Sequence, residues 1–103
     1  MVRLFIAFLL VVSFNAKAQI SLVHINAEFN ASNDWTEIYD ITGAKRLNGY
    51  IDQKPGLKEG YNIRYVPTLI LFKDGEEIER WEAGLDMKLH VTAKEIQSKI
   101  DAL

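Results

Sequence analysis

The chain has 103 residues, with 12 basic and 14 acidic side chains, two histidines and no cysteine. That length holds one domain, and a slightly acidic balance argues against nucleic acid or an anionic membrane surface as partner, since both call for clustered Lys and Arg. Without a thiol, this chain has no disulfide staple, no thiolate nucleophile and no cysteine-held metal.

Met1-Val2-Arg3 is a short positive start, and Leu4 to Val12 is unbroken apolar sequence. Ala16-Lys17-Ala18 then puts small residues at the two places a signal peptidase reads. This pattern predicts a signal peptide over residues 1–18 and a single domain over 19–103, exported to a periplasm or secreted. The apolar run is too short to span a bilayer as a helix, so no membrane span is expected after cleavage. A first core strand or an uncleaved anchor is the other reading of the same residues.

Ile20 to Ala27 is rich in apolar and β-branched residues and predicts a buried strand. Ser32 can cap a helix in which Trp35, Ile38, Tyr39 and Thr42 fall at helical spacing, with Gly43 as its stop. A weaker strand over Arg46 to Asp52 is interrupted by Asn48 and Gly49. Pro55 suits a first helical position and Gly60 closes the short helix that it opens. Val66 to Lys73 is the strongest strand, with Leu69-Ile70-Leu71-Phe72 suited to burial on both faces.

Asp74-Gly75 predicts a hairpin turn, because both positions tolerate positive φ, and Glu77 to Ala83 then returns antiparallel. The acidic residues around this hairpin (Asp74, Glu76, Glu77, Glu79 and Glu82) make a solvated edge that discourages edge-to-edge pairing. Thr92 and Glu95 form a capping box for a last helix, with Val91 stapled to Ile96 and an inward stripe of Ile96, Ile100 and Leu103. The order β-α-β-α-β-β-α, with a right-handed βαβ unit and an added hairpin, makes an α/β fold: a four-stranded mixed sheet flanked by helices.

Asn26-Ala27-Glu28-Phe29-Asn30-Ala31-Ser32-Asn33, after the first strand, and Tyr61 to Leu69 with Phe72-Lys73-Asp74-Gly75 resemble the two halves of a thioredoxin active site. The resemblance runs from about Leu22 to the C-terminus and implies a minimal thioredoxin-like fold with a cis Val66-Pro67 bond. Phe29 stands where that family has Trp, Asn30 and Asn33 where it has the Cys pair, and His24 where it has a buried acid. Thioredoxins also carry an earlier strand and helix, whose place the signal peptide takes here. Their helix after the active-site loop is about two turns longer. Thiol–disulfide exchange needs a thiolate, so a literal redox role is excluded for this cysteine-free chain.

Asn30 and Asn33 are expected at a helix start, either capping it or holding a ligand; Asn30-Ala31-Ser32 is also a glycosylation sequon. His24 is expected buried, neutral and hydrogen-bonded, with a pH-responsive core as the sharper alternative. The cis-Pro loop either serves the fold alone or offers Val66 to an added peptide strand, with Phe29, Pro67, Ala83 and Gly84 around it. No catalytic residue, cofactor or metal is expected. The expected function is non-covalent binding of polypeptide or of an envelope protein by a monomer or weak dimer, as holdase, adaptor or complex subunit. The alternatives are a structural docking module, and an enzyme that binds a small thiol compound in a pocket beside Ser32 and Pro67.

Overall fold

The computed structural model describes residues 18–103; the export signal expected over residues 1–18 falls almost wholly outside the described residues. Strand β1 (Ile20–Asn26) is followed by two 3-10 turns (Glu28–Asn33 and Thr36–Asp40) and by β2 (Lys45–Tyr50). Helix α1 (Gly56–Gly60), strands β3 (Thr68–Lys73) and β4 (Glu76–Glu82), and helix α2 (Ala93–Asp101) complete the chain. The sheet order is β2-β1-β3-β4, with β1 parallel to β2 and antiparallel to β3, and β3 antiparallel to β4.

Each face of the sheet has its own core, as the period-two alternation of the strands requires. Leu22, Leu69 and Leu71 meet Trp35, Ile38, Ile41, Ile96 and Ile100 on the face covered by α2 and the 3-10 turns. Val23, Ile25, Ile63 and Ile70 form the other cluster, closed by Leu57 of α1 with Tyr61, Val66 and Phe72. A Cβ on Gly49 would lie 2.5 Å from the Leu57 side chain, so the glycine that weakens the β2 pattern lets α1 approach the sheet.

The hairpin turn has φ of 52° at Asp74 and 83° at Gly75, the paired positive values expected of Asp-Gly. Thr92 accepts from the Glu95 N–H at 3.2 Å at the start of α2. Leu103 departs from the expected stripe: α2 ends at Asp101, and Leu103 is exposed while Ile96 and Ile100 are buried.

The larger departure lies between β1 and β2, where the expected helix is replaced by two 3-10 turns separated by extended Asp34 (φ −52°, ψ 138°). An α-helix would carry the Asn30 carbonyl to the Asp34 N–H; here Asp34 N–H donates to Ala31 at 3.0 Å. Side chains of β1 take the groups left over. Asn26 Nδ2 donates to the Asn30 carbonyl at 2.9 Å, and the Trp35 N–H donates to His24 Nε2 at 3.1 Å. Ser32 is exposed and caps nothing.

Ile96→Ala should cost about 2–5 kcal/mol, because Ile96 is wholly buried against the first core. Leu103→Ala should change stability by no more than about 0.5 kcal/mol. Urea unfolding midpoints of the two variants check both values.

Candidate functional site

The site is built at the C-terminal end of β1. Leu22, His24 and Asn26 alternate onto one face of the sheet, so two polar side chains point into an apolar layer. A buried amide must find partners for all its groups, and Asn26, fully buried, does so. Its Nδ2 donates to the Asn30 carbonyl and, at 2.7 Å, to Asp34 Oδ1; its Oδ1 accepts from Asn30 Nδ2 at 3.1 Å. Asn30 Nδ2 also donates to the Met87 carbonyl at 3.0 Å, and Asn33 Nδ2 donates to Asn30 Oδ1 at 2.7 Å.

Neither Asn30 nor Asn33, the two positions that the sequence resemblance sets against a Cys pair, accepts from a backbone N–H through its side chain among the described residues. The capping reading is corrected. Asn30 is buried inside the network and joins the first 3-10 turn to the loop beyond β4. Met87, its acceptor there, has φ of 57°, a left-handed conformation that costs an ordinary residue about 1–2 kcal/mol. The Met87 N–H to Gly84 carbonyl bond at 3.0 Å and the Asn30 amide together hold that turn.

Tyr50 extends the network by donating to Asp34 Oδ2 at 2.5 Å. That bond pushes the phenol up to about 12, so Tyr50 is a neutral donor throughout the physiological range. Asp52 accepts from the Glu28 N–H at 3.0 and 3.1 Å, and Gln53 donates to Glu28 Oε1, tying the loop after β2 to the first 3-10 turn. Asn26, Asp34 and Tyr50 were given no role by sequence reasoning. The signal for Asn26 was its place on the same strand face as Leu22.

His24 is buried with both ring nitrogens engaged. Because Nε2 accepts from Trp35 N–H, the proton sits on Nδ1 and is donated to Asn48 Oδ1 at 3.0 Å. Burial lowers its pKa from 6.5, outweighing the Asn48 bond and the charge of Asp34, which act in the opposite direction. Protonation would also set a second N–H against that of Trp35.

The Val66-Pro67 bond is cis. Pro67 is buried, its carbonyl accepts from the Ala83 N–H at 3.1 Å, and Ala83 is buried beside it. Val66 is half-buried, and its backbone N–H and C=O make no hydrogen bond among the described residues. At the same end of the sheet Phe29 is 74 % exposed, Tyr65 53 % and Leu85 fully exposed, with Gly84 also on the surface. The structure therefore brings Phe29, Val66, Pro67, Ala83 and Gly84 to one end of the sheet; Tyr65 and Leu85 add to them. Ser32 lines a separate shallow cleft of about 270 Å³ with Asn33, Thr36 and Lys88, which Pro67 does not line. No group of three or more His, Asp or Glu placed to hold a metal occurs among the described residues.

Asn26→Leu should destabilise by at least about 2 kcal/mol, since it strands the Asp34 carboxylate and the Asn30 amide. Asn33→Ala, which removes one half-exposed bond, should cost about 1 kcal/mol. Denaturant titration of each variant reads these losses. With a lowered pKa, folded His24 binds its proton more weakly than the unfolded chain does. Its contribution is complete above pH 6.5 and is lost as pH falls below 6.5 toward the folded value. Melting curves taken across that window should slope downward for the wild type and lie flatter for His24→Leu.

No protein-family model matches the chain. It is 57 % identical over 30 residues to a thioredoxin of Chlamydia trachomatis, covering 29 % of each chain. It is 40 % identical over 43 residues to thioredoxin AMT13 of Alternaria alternata, covering 42 % of this chain and 35 % of that one. The matches span only about a third of these curated relatives. Among solved structures, a point mutant of a thioredoxin from Halobacterium salinarum aligns with a TM-score of 0.64 at 24 % identity, over 82 % of this chain and 74 % of that one. Thioredoxin-2, described as a component of the malaria parasite's protein secretion machinery, aligns at 0.63 and 15 % identity, over 86 % and 87 %. With the four-stranded sheet and the cis-Pro loop, these likenesses show a thioredoxin-like fold, here in a sequence that has no cysteine.

Proposed function

We propose that this chain is an exported, non-catalytic polypeptide-binding protein, acting as a holdase, adaptor or subunit of an envelope complex. The observation that carries the reading is Val66, whose backbone N–H and C=O lack partners among the described residues, at the same end of the sheet as the exposed side chains of Phe29, Tyr65 and Leu85. An extended chain added there would satisfy both groups, and its alternate side chains would cover the apolar surface. The lost sulfurs remove covalent capture, so the contact is reversible. Export rests on the sequence of residues 1–18 alone.

Reduced, carboxymethylated α-lactalbumin, a chain held unfolded, is a direct probe. It should shift the amide resonances of Val66, Gly84 and Leu85, and Leu85→Asp and Phe29→Ala should each weaken binding at least about fivefold, roughly 1 kcal/mol. Absence of shifts at Val66, or unchanged affinity in both variants, would refute the reading. When the full chain is expressed with an export pathway, intact mass should show a protein beginning at Gln19.

A further inference from the structure

On the other side of Asn26 from the cis-Pro loop, a cleft of about 320 Å³ opens between the second 3-10 turn and β2. Its walls include Asp34, Trp35, Tyr39, Asn48, Tyr50 and Gln53, with His24 at its base. That volume lies in the range of small-ligand sites, which characteristically combine aromatic walls with a few convergent polar groups. The second 3-10 turn (Thr36–Asp40) forms one wall of the cleft and β2 the other.

Charge decides what fits. Asp34 accepts only from neutral donors, one on each oxygen: the Asn26 amide and the Tyr50 phenol. Among the described residues no Lys, Arg or His comes within 4 Å of it, so its charge has no ionic partner. Each carboxylate oxygen keeps a free lone pair. Arg46 of β2 donates to the Tyr39 carbonyl at 2.9 Å and does not line the cleft. At the base, His24 is held neutral by burial and by its two hydrogen bonds, so it does not supply the missing cation. Tyr39 is exposed and Tyr50 half-buried, giving two aromatic rings in the same cleft as the carboxylate. A carboxylate beside aromatic rings is the recognition chemistry of an organic cation.

We propose that this cleft binds the cationic head of an alkylammonium group, held by Asp34 and by the rings of Tyr39 and Tyr50. The group can belong to a free small amine or to a lysine side chain of a polypeptide. This site is separate from the cis-Pro surface and stands or falls independently of it.

Benzylammonium chloride, benzyl alcohol as its neutral counterpart, and the tripeptide acetyl-Gly-Lys-Gly-amide are titrated in turn at pH 7.5 while side-chain amide and backbone resonances are followed. Benzylammonium should give saturable shifts at Asn48, Tyr50 and Gln53 at millimolar concentration, and benzyl alcohol none. Asp34→Asn and Tyr39→Ala should each weaken binding at least fivefold. Tyr39 is exposed, so its variant keeps the test valid should Asp34→Asn fail to fold. Tighter binding of the tripeptide assigns the site to a polypeptide lysine, and tighter binding of benzylammonium assigns it to a free amine. Equal shifts from amine and alcohol, shifts outside the cleft, or an unchanged affinity in Tyr39→Ala would overturn the proposal.

Discussion

Two side chains of β1 govern the structure around the site. His24 takes the N–H of Trp35, and Asn26 takes the carbonyl of Asn30 and one oxygen of Asp34. Each of these groups would otherwise serve a helical ladder or face solvent. A buried polar side chain left without partners costs about 1–3 kcal/mol, whereas a helix of only a few turns is not stable by itself and depends on tertiary packing. The local competition is won by the strand, and the chain after Ala27 is bent into 3-10 turns to meet it.

This one constraint shapes both surfaces beside β1. Toward β3 and β4, the Asn30 amide reaches the Met87 carbonyl and fixes the loop that carries Gly84 and Leu85 next to Pro67. Toward β2, the Asp34 carboxylate accepts from the Tyr50 hydroxyl, and both residues line the cleft. Asn30 and Asn33 are members of an internal frame. A carboxamide neither titrates nor attacks, yet can make four hydrogen bonds at once, so these side chains serve fixed geometry.

Much of the fold was legible because its signals are local and strong. The Leu69–Phe72 run and the Asp74-Gly75 turn appear as expected, and of the Thr92/Glu95 box the half in which Thr92 accepts from the Glu95 N–H is formed, while the Glu95 carboxylate takes the Thr92 hydroxyl. The strand ends shift by a residue or two, as hydrogen bonds at the margins require. The helix after Ser32 was not legible, because its spacing of Trp35, Ile38 and Tyr39 is helical while the groups that break it lie eight to eleven residues earlier. At the site, the cis Val66-Pro67 bond that the resemblance implied is present. Asn26 escaped because its role depends on which strand face it occupies, and Asp34 and Tyr50 because their contact spans 16 residues.

The amides of Asn26 and Asn30 form a closed, buried network, and everything around the site depends on that closure. Hydrogen exchange of the individual side-chain amide resonances measures it most directly. The Nδ2 protons of Asn26 and Asn30 should exchange far more slowly than those of Asn62, whose side chain makes no hydrogen bond among the described residues. Exchange of Asn26 and Asn30 as fast as Asn62 would contradict the closed network, because the loop would then be held by something other than these two side chains.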